Sequence, residues 1–259
     1  MLSVETYPTL GEAAQAMGDR ARYLAGGTLV MRAATYGDQG FDRIVRARQV
    51  DRRIGAEGAG LRIGAGATMA DVLASRDVEA LHPVARAIGG PAIRNMATVG
   101  GNLFAPNPYG DFAVALLALD AQAVMANGQE QPLSALLSGR DRSRGLVTAV
   151  TLPRVETGSF RFLKVSRVKP RGVSIMSIAV TLRRGDARVV FGNMGSTPLR
   201  APAAERALAN GADDGAVAAA CAACLEGLAP VDDPLATAWY RREVAPVHLR
   251  RLLTGGGAR

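Results

Sequence analysis

Two glycine-centred segments carry the clearest chemical signal in the chain: Ala25-Gly26-Gly27-Thr28-Leu29 and Thr98-Val99-Gly100-Gly101-Asn102. Glycine lets a backbone wrap closely around an anion, and successive N–H groups in such a turn make a concave seat for phosphate oxygens. Thr28, Thr98 and Asn102 add hydroxyl and amide groups, and Asp111 follows nine residues after Asn102. Either Gly pair alone is an ordinary turn. Two of them, with an aspartate downstream, are harder to dismiss as turns alone, and both are candidate seats for an anion. Neither has the spacing of GxGxxG after a strand or of GxxxxGK[ST], so the dinucleotide and nucleoside-triphosphate fingerprints are missing.

The other reactive residue types do not assemble into a catalytic set. Cys221 and Cys224, the chain's two cysteines, have the CxxC spacing of thiol redox sites. They lie inside an alanine-rich helical run, away from a helix N-terminus that would lower a thiol pKa, and so are expected to pack. No disulfide framework or iron–sulfur cluster can be built from them alone. His82 and His248 have no neighbouring carboxylate or cysteine pattern for a metal. Arg241, Arg242, Arg250 and Arg251 recur in pairs along the terminal helix, as a solvated face or, more sharply, a docking face for a partner subunit. Tyr109, just ahead of Asp111, either touches a ligand or covers a turn. With no activated nucleophile and no acid/base pair, any demanding chemistry belongs to a cofactor.

Each glycine segment follows elements able to hold it. Residues 9–17 read as an amphipathic helix capped by Thr9, with Glu12 at the capping-box position, and ARYLAGGTLVM as a strand broken into a loop by its Gly pair. LRIGAGATMADVLAS repeats the pattern: a strand over residues 61–63, a glycine-spaced turn, and a helix capped by Thr68 with Asp71 in its first turn. A helix through residues 85–88 precedes the second segment. Residues 103–110 form a loop, and Asp111 caps a helix running to Leu119.

Strands are predicted at residues 122–126 and 146–152, with Asn127-Gly128 as a hairpin turn, and residues 153–158 as a linker. Three antiparallel strands follow at residues 160–166, 175–182 and 188–191, the last two joined by Arg184-Gly185-Asp186. Helices are predicted at 203–209, 216–228 and 234–253, and residues 255–259 form a flexible tail. This order argues for α+β modules and against a doubly wound sheet.

Bulk properties narrow the partners. The 259 residues are 48% hydrophobic, with 30 glycines and 13 prolines, which suits one large domain or several loop-rich ones. The net charge of +8 raises nucleic acid as a ligand. Yet the densest basic stretch, Arg43, Arg46, Arg48, Arg52 and Arg53, is interrupted by Asp51, and aromatic residues reach only 5%. An acidic protein partner, or merely an arginine-rich composition, fits better. No apolar run approaches the ~20 residues needed to cross a bilayer, and MLSVETYPTL is not a signal peptide, so a cytoplasmic location is expected.

A family resemblance sharpens these readings. YLAGGTLVMR, LRIGAGATMADVLAS and above all IRNMATVGGNLFAPNPYGDFAVALLALDA resemble the FAD-binding subunits of the xanthine dehydrogenase and carbon monoxide dehydrogenase family. GSTPLRAPAAERAL and ATAWYRREVAPVHLRRLL resemble that family's flavoprotein C-terminal domain. The resemblance implies a two-lobed FAD-binding domain of the vanillyl-alcohol-oxidase-like (PCMH) type, with subdomains 1–55 and 56–153 holding FAD between them. It further implies an α+β C-terminal domain, 154–259, with a three-stranded antiparallel sheet and a helical bundle.

Carried residue by residue, the resemblance assigns Leu24, Ala25, Gly26, Gly27, Thr28, Leu29 and Val30 to the pyrophosphate. Thr98, Val99, Gly100, Gly101 and Asn102 fall to the diphosphate and ribityl, and Asp111 to the flavin's polar chain. Ile88 is placed against the flavin, and Leu146 and Lys164 near its ring. Two departures stand out: Leu29 where relatives commonly have Asp, and Gly172 where many carry Asp.

The implied role is the FAD-binding electron-transfer subunit of a molybdenum hydroxylase. Its partners would be a molybdopterin-binding large subunit and a small subunit with 2Fe–2S clusters, in a dimer of heterotrimers. The implied acceptor is NAD, oxygen or quinone. A self-sufficient FAD oxidoreductase on the same scaffold, or a non-catalytic module that has lost flavin, remain the alternatives.

Overall fold

The computed structural model describes residues 2–140, 145–168, 172–183 and 185–255. Arg184 of the expected turn and residues 256–259 of the expected tail lie outside that range. The first elements are β1 (Ser3–Thr9), α1 (Leu10–Gln15), β2 (Ala21–Tyr23), α2 (Val30–Thr35) and β3 (Arg43–Gln49). The strands form a sheet in the order β1-β3-β2, both outer strands parallel to β3. Thr9 caps α1 by accepting the Glu12 N–H, as its sequence position requires. Leu10, Ala13, Ala21 and Val45 bury against one another, with Leu146 completing that core.

Next come β4 (Ile54–Glu57), β5 (Gly60–Gly64), α3 (Met69–Ala74), a 3-10 turn (Arg76–Leu81), α4 (His82–Ala87), α5 (Pro91–Arg94), α6 (Val99–Leu103) and α7 (Asp111–Ala118). They are followed by β6 (Gln122–Met125), β7 (Glu130–Pro132), α8 (Leu133–Gly139) and β8 (Val147–Pro153). Their strands make an antiparallel sheet ordered β4-β5-β8-β6-β7. The Asn127-Gly128 turn joins β6 to β7, with Gly128 at φ +82° as such a turn demands.

The remainder holds β9 (Phe160–Val165), β10 (Met176–Arg183), β11 (Asp186–Gly192), β12 (Leu199–Arg200), α9 (Pro202–Ala207), α10 (Asp214–Ala223) and α11 (Ala238–Leu253). The sheet is four-stranded and antiparallel, β12-β11-β10-β9, one strand more than expected. The extra strand pairs only Leu199 and Arg200 with Phe191 and Val190, too short a run for alternation to reveal.

By contacts the chain forms two compact units. The first comprises residues up to Glu79, Ile88–Ala105 and Ala121–Arg154; the second has Ala80–Ala87, Pro106–Asp120 and the residues from Val155 on. The second unit therefore includes α4 and α7. All eight residues of α7 are buried, and the buried Thr181 hydroxyl of β10 donates to the Ala118 carbonyl at 2.8 Å. Helices also cover the sheet's other face, which is why the first six residues of β10 are buried without alternation. Among the described residues no helix is long and apolar enough to cross a membrane.

Several expectations need correction. β1, β3, β4, α2, α5, α6, α8 and β12 were not foreseen, most being short or polar on one side. Asp111 is the first residue of α7, not its cap; Gly110 takes that place at φ +101°. The last helix starts at Ala238, where Thr237 caps it by accepting the Tyr240 N–H. Arg241 is not on a solvated face: it is 1% exposed and donates to the carbonyls of Ile175, Val231 and Ala236 and to the Asp233 carboxylate.

Candidate cofactor site

The first glycine turn begins where β2 ends. Leu24 still bonds the sheet, its N–H donating to the Val45 carbonyl at 2.7 Å. From there the chain leaves the sheet for α2, whose N-cap Leu29 makes no side-chain cap. As a result the backbone N–H groups of Ala25, Gly26, Gly27, Thr28 and Leu29 bond no acceptor among the described residues. Five consecutive open donors are uncommon in a folded chain and suit an anion. Both glycines are required, for different reasons. A Cβ on Gly26 would lie 1.6 Å from the Met96 carbonyl oxygen, and Gly27 holds φ +75°, which L side chains rarely adopt.

The second segment is not a loop but a cap and the first turn of a helix. Thr98 caps α6 by accepting the Gly101 N–H at 3.1 Å. Val99 donates to the Ala67 carbonyl, Gly100 to the Ala65 carbonyl and Asn102 to the Thr98 carbonyl, at 2.8, 2.8 and 3.0 Å. The amides of Val99, Gly100, Gly101 and Asn102 are thus engaged inside the protein, contrary to the expectation that they would cup a phosphate.

The glycines of this segment serve close packing. A Cβ on Gly100 would come within 2.8 Å of the Ala65 Cβ, and one on Gly101 within 3.4 Å of the Ala25 Cβ. The two segments therefore do meet, but in an asymmetric way: one offers donors, the other supports it. A bridge between Thr68 and Thr98 fixes α6 beside α3. Asp71 closes the capping box of α3 and takes a hydrogen bond from Arg52 at 2.7 Å. The Met96 carbonyl and Ala65 were missed at the sequence level; the small-residue run Gly64-Ala65-Gly66-Ala67 was the available signal.

The remaining assigned positions fall in both units. Ile88 is half-buried, and the Ile88 and Gly89 carbonyls accept from Arg94. Leu146 is 7% exposed, its side chain packed in the core with Leu10 and Val45. In the second unit Asp111 and Lys164 form a buried ion pair, Nζ to Oδ2 at 3.0 Å, their side chains 5% and 11% exposed. Lys164 donates as well to the Ala87 carbonyl at 2.9 Å, so β9, α7 and α4 converge on one ammonium. A Cβ on Gly172 would lie 2.4 Å from the Val168 carbonyl oxygen, too close for a larger side chain unless the backbone shifts.

Other candidates drop out on geometry. Cys221 and Cys224 are buried free thiols; burial, then the neighbouring Cys221, pushes Cys224 up to about 12, far from a reactive thiolate. Among the described residues no group of three or more His, Cys, Asp or Glu side chains could hold a metal.

Comparison with known proteins bears on the whole length. The family described as FAD binding domain in molybdopterin dehydrogenase matches residues 2–155, and the CO dehydrogenase flavoprotein C-terminal domain matches residues 161–255. The carbon monoxide dehydrogenase medium chain of Afipia carboxidovorans is 28% identical over 270 residues, covering 94% of this chain and 91% of its own. The glyceraldehyde dehydrogenase medium chain of Sulfolobus acidocaldarius is 27% identical, covering 73% of each. Among solved structures, a carbon monoxide dehydrogenase chain from Hydrogenophaga pseudoflava superimposes with a TM-score of 0.87 at 25% identity, covering 98% of this chain and 96% of that one.

Proposed function

The chain belongs to the family of FAD-binding subunits of molybdopterin dehydrogenases, and from that premise we propose that it is the electron-transfer subunit of a molybdenum hydroxylase. It is an oxidoreductase component, and its cofactor is FAD. In this role it stands between a small subunit with 2Fe–2S clusters, served by a molybdopterin-binding large subunit, and an external acceptor: NAD, oxygen or a quinone. A cytoplasmic dimer of heterotrimers is the assembly proposed.

The observation that carries the reading is the run of five N–H groups, unbonded among the described residues, in a glycine turn seated on the Met96 carbonyl. The diphosphate fits there, held by the amides of residues 25–29 with Leu24 and Val30 framing the turn. Because these contacts come from backbone, Leu29 in place of an aspartate does not weaken them. Residues 98–102 support the turn, and Thr98 and Asn102 bring the polar side chains of that segment. Ile88, Asp111, Leu146 and Lys164 are proposed as further contacts on the strength of the family resemblance. Bound FAD supplies one- and two-electron redox chemistry; this chain's residues bind it, orient it and set its electrostatics.

The test is cofactor content. The complex purified from its native source is expected to show oxidised-flavin absorption and to contain molybdenum and iron. Gly26→Val is expected to lose FAD, since the added carbons collide with backbone. Stoichiometric FAD in that variant would overturn the proposed cradle.

A further inference from the structure

Helix α11 presents two unlike faces. One is interior: Arg241, Ala245, Leu249 and Leu252 are buried, and Arg241 ties the helix to three carbonyls and Asp233. At about 100° per residue the opposite face carries Trp239, Glu243, Val247 and Arg250. Trp239, the only tryptophan of the chain, is 69% exposed, and Val247 is 47% exposed. Pro246 shares this outward side and has no N–H to give the Arg242 carbonyl. Exposed Arg242, Arg250 and Arg251 accompany the apolar residues, against Glu243 on the helix and Asp232 ahead of it.

Trp and Arg together are the residues enriched at binding hot spots, and a rigid, pre-packed helix face loses little entropy on docking. The charge indicates what covers it. The chain as a whole carries +8 and the arginines outnumber the acids on this face, so a second copy meets repulsion whereas an acidic surface is attracted.

We propose that the outward stripe of α11, centred on Trp239 and Val247 and flanked by Arg250 and Arg251, docks on an acidic face of another subunit of its own complex. The inference rests on the subunit reading above. The stripe lies outside the cofactor cradle, so the two can fail separately.

The experiment co-expresses the full chain with its molybdopterin and iron–sulfur partners and purifies by a tag on this chain. Trp239→Ala and Val247→Asp are expected to cut co-purified molybdenum and iron about tenfold or more per tagged chain, while the chain's melting temperature and circular dichroism stay unchanged. Arg250→Glu with Arg251→Glu is expected to make the complex dissociate at lower salt than wild type. Variants that retain their partners at wild-type levels overturn the docking site and leave the subunit reading intact. A wild-type chain that co-purifies with no molybdenum or iron overturns both. Loss of a homodimer of the isolated chain in Trp239→Ala, with partners retained, assigns the stripe to a second copy and overturns the proposal.

Discussion

At the scale of single residues, buried charge dominates. The Asp111–Lys164 pair has nearly no solvent around it, so removing one partner leaves the other charge without compensation. Lys164→Met is expected to destabilise the protein by about 3–5 kcal/mol, and adding Asp111→Asn to that variant is expected to recover much of the loss, read as a urea double-mutant cycle. A cycle with no coupling would mean that water reaches the pair. Asp51 shows the pH side of the same physics. Burial pushes its carboxyl up, but hydrogen bonds from the Arg53 side chain and backbone and from Arg62 outweigh that and bring it down to about 2, from 3.8. A depressed carboxylate pKa contributes stability that is fully present above pH ~4 and is lost as pH falls towards 2. Because its main partner Arg53 is exposed and screened by water, Asp51→Asn is expected to remove only about 1 kcal/mol at neutral pH and to flatten the stability curve below pH ~4 in denaturant titrations.

At the scale of elements, the cradle proposed for the diphosphate is made from weakly anchored pieces. Neither α2 nor α5 contains a buried residue, and Met31, Tyr36, Ile93 and Met96 on and beside them are exposed. Such helices derive little stability from packing and open readily. Without FAD, amides of residues 25–36 and 91–96 are expected to exchange rapidly with deuterated solvent, and FAD is expected to slow residues 25–36 most. Equal exchange with and without FAD would place the diphosphate elsewhere. The supporting segment is the opposite case: in α6, Val99, Asn102 and Leu103 are buried. This contrast explains why two sequence motifs of similar appearance play different parts. Glycine's permissiveness is used once to free a backbone from its own hydrogen bonds and once to let helices approach.

At the scale of the molecule, much was legible in the order of residues. Thr9, Thr68 and the Asn127-Gly128 turn act locally, through bonds to neighbours three residues away or through a backbone angle, so their roles could be read from the chain. The α+β character and the family's motifs were likewise written in periodicity and in strings such as TVGGN. The rest depends on partners that lie far off along the chain. Whether the amides after Thr98 were open depended on the Ala65 and Ala67 carbonyls, some thirty residues earlier. Arg241 looked like one of four surface arginines until the carbonyls of Ile175 and Val231 closed around it. A residue type sets which bonds it is able to make, but burial and the neighbour that arrives by folding determine which of them it makes, and for a donor that decides whether it binds a ligand or its own chain.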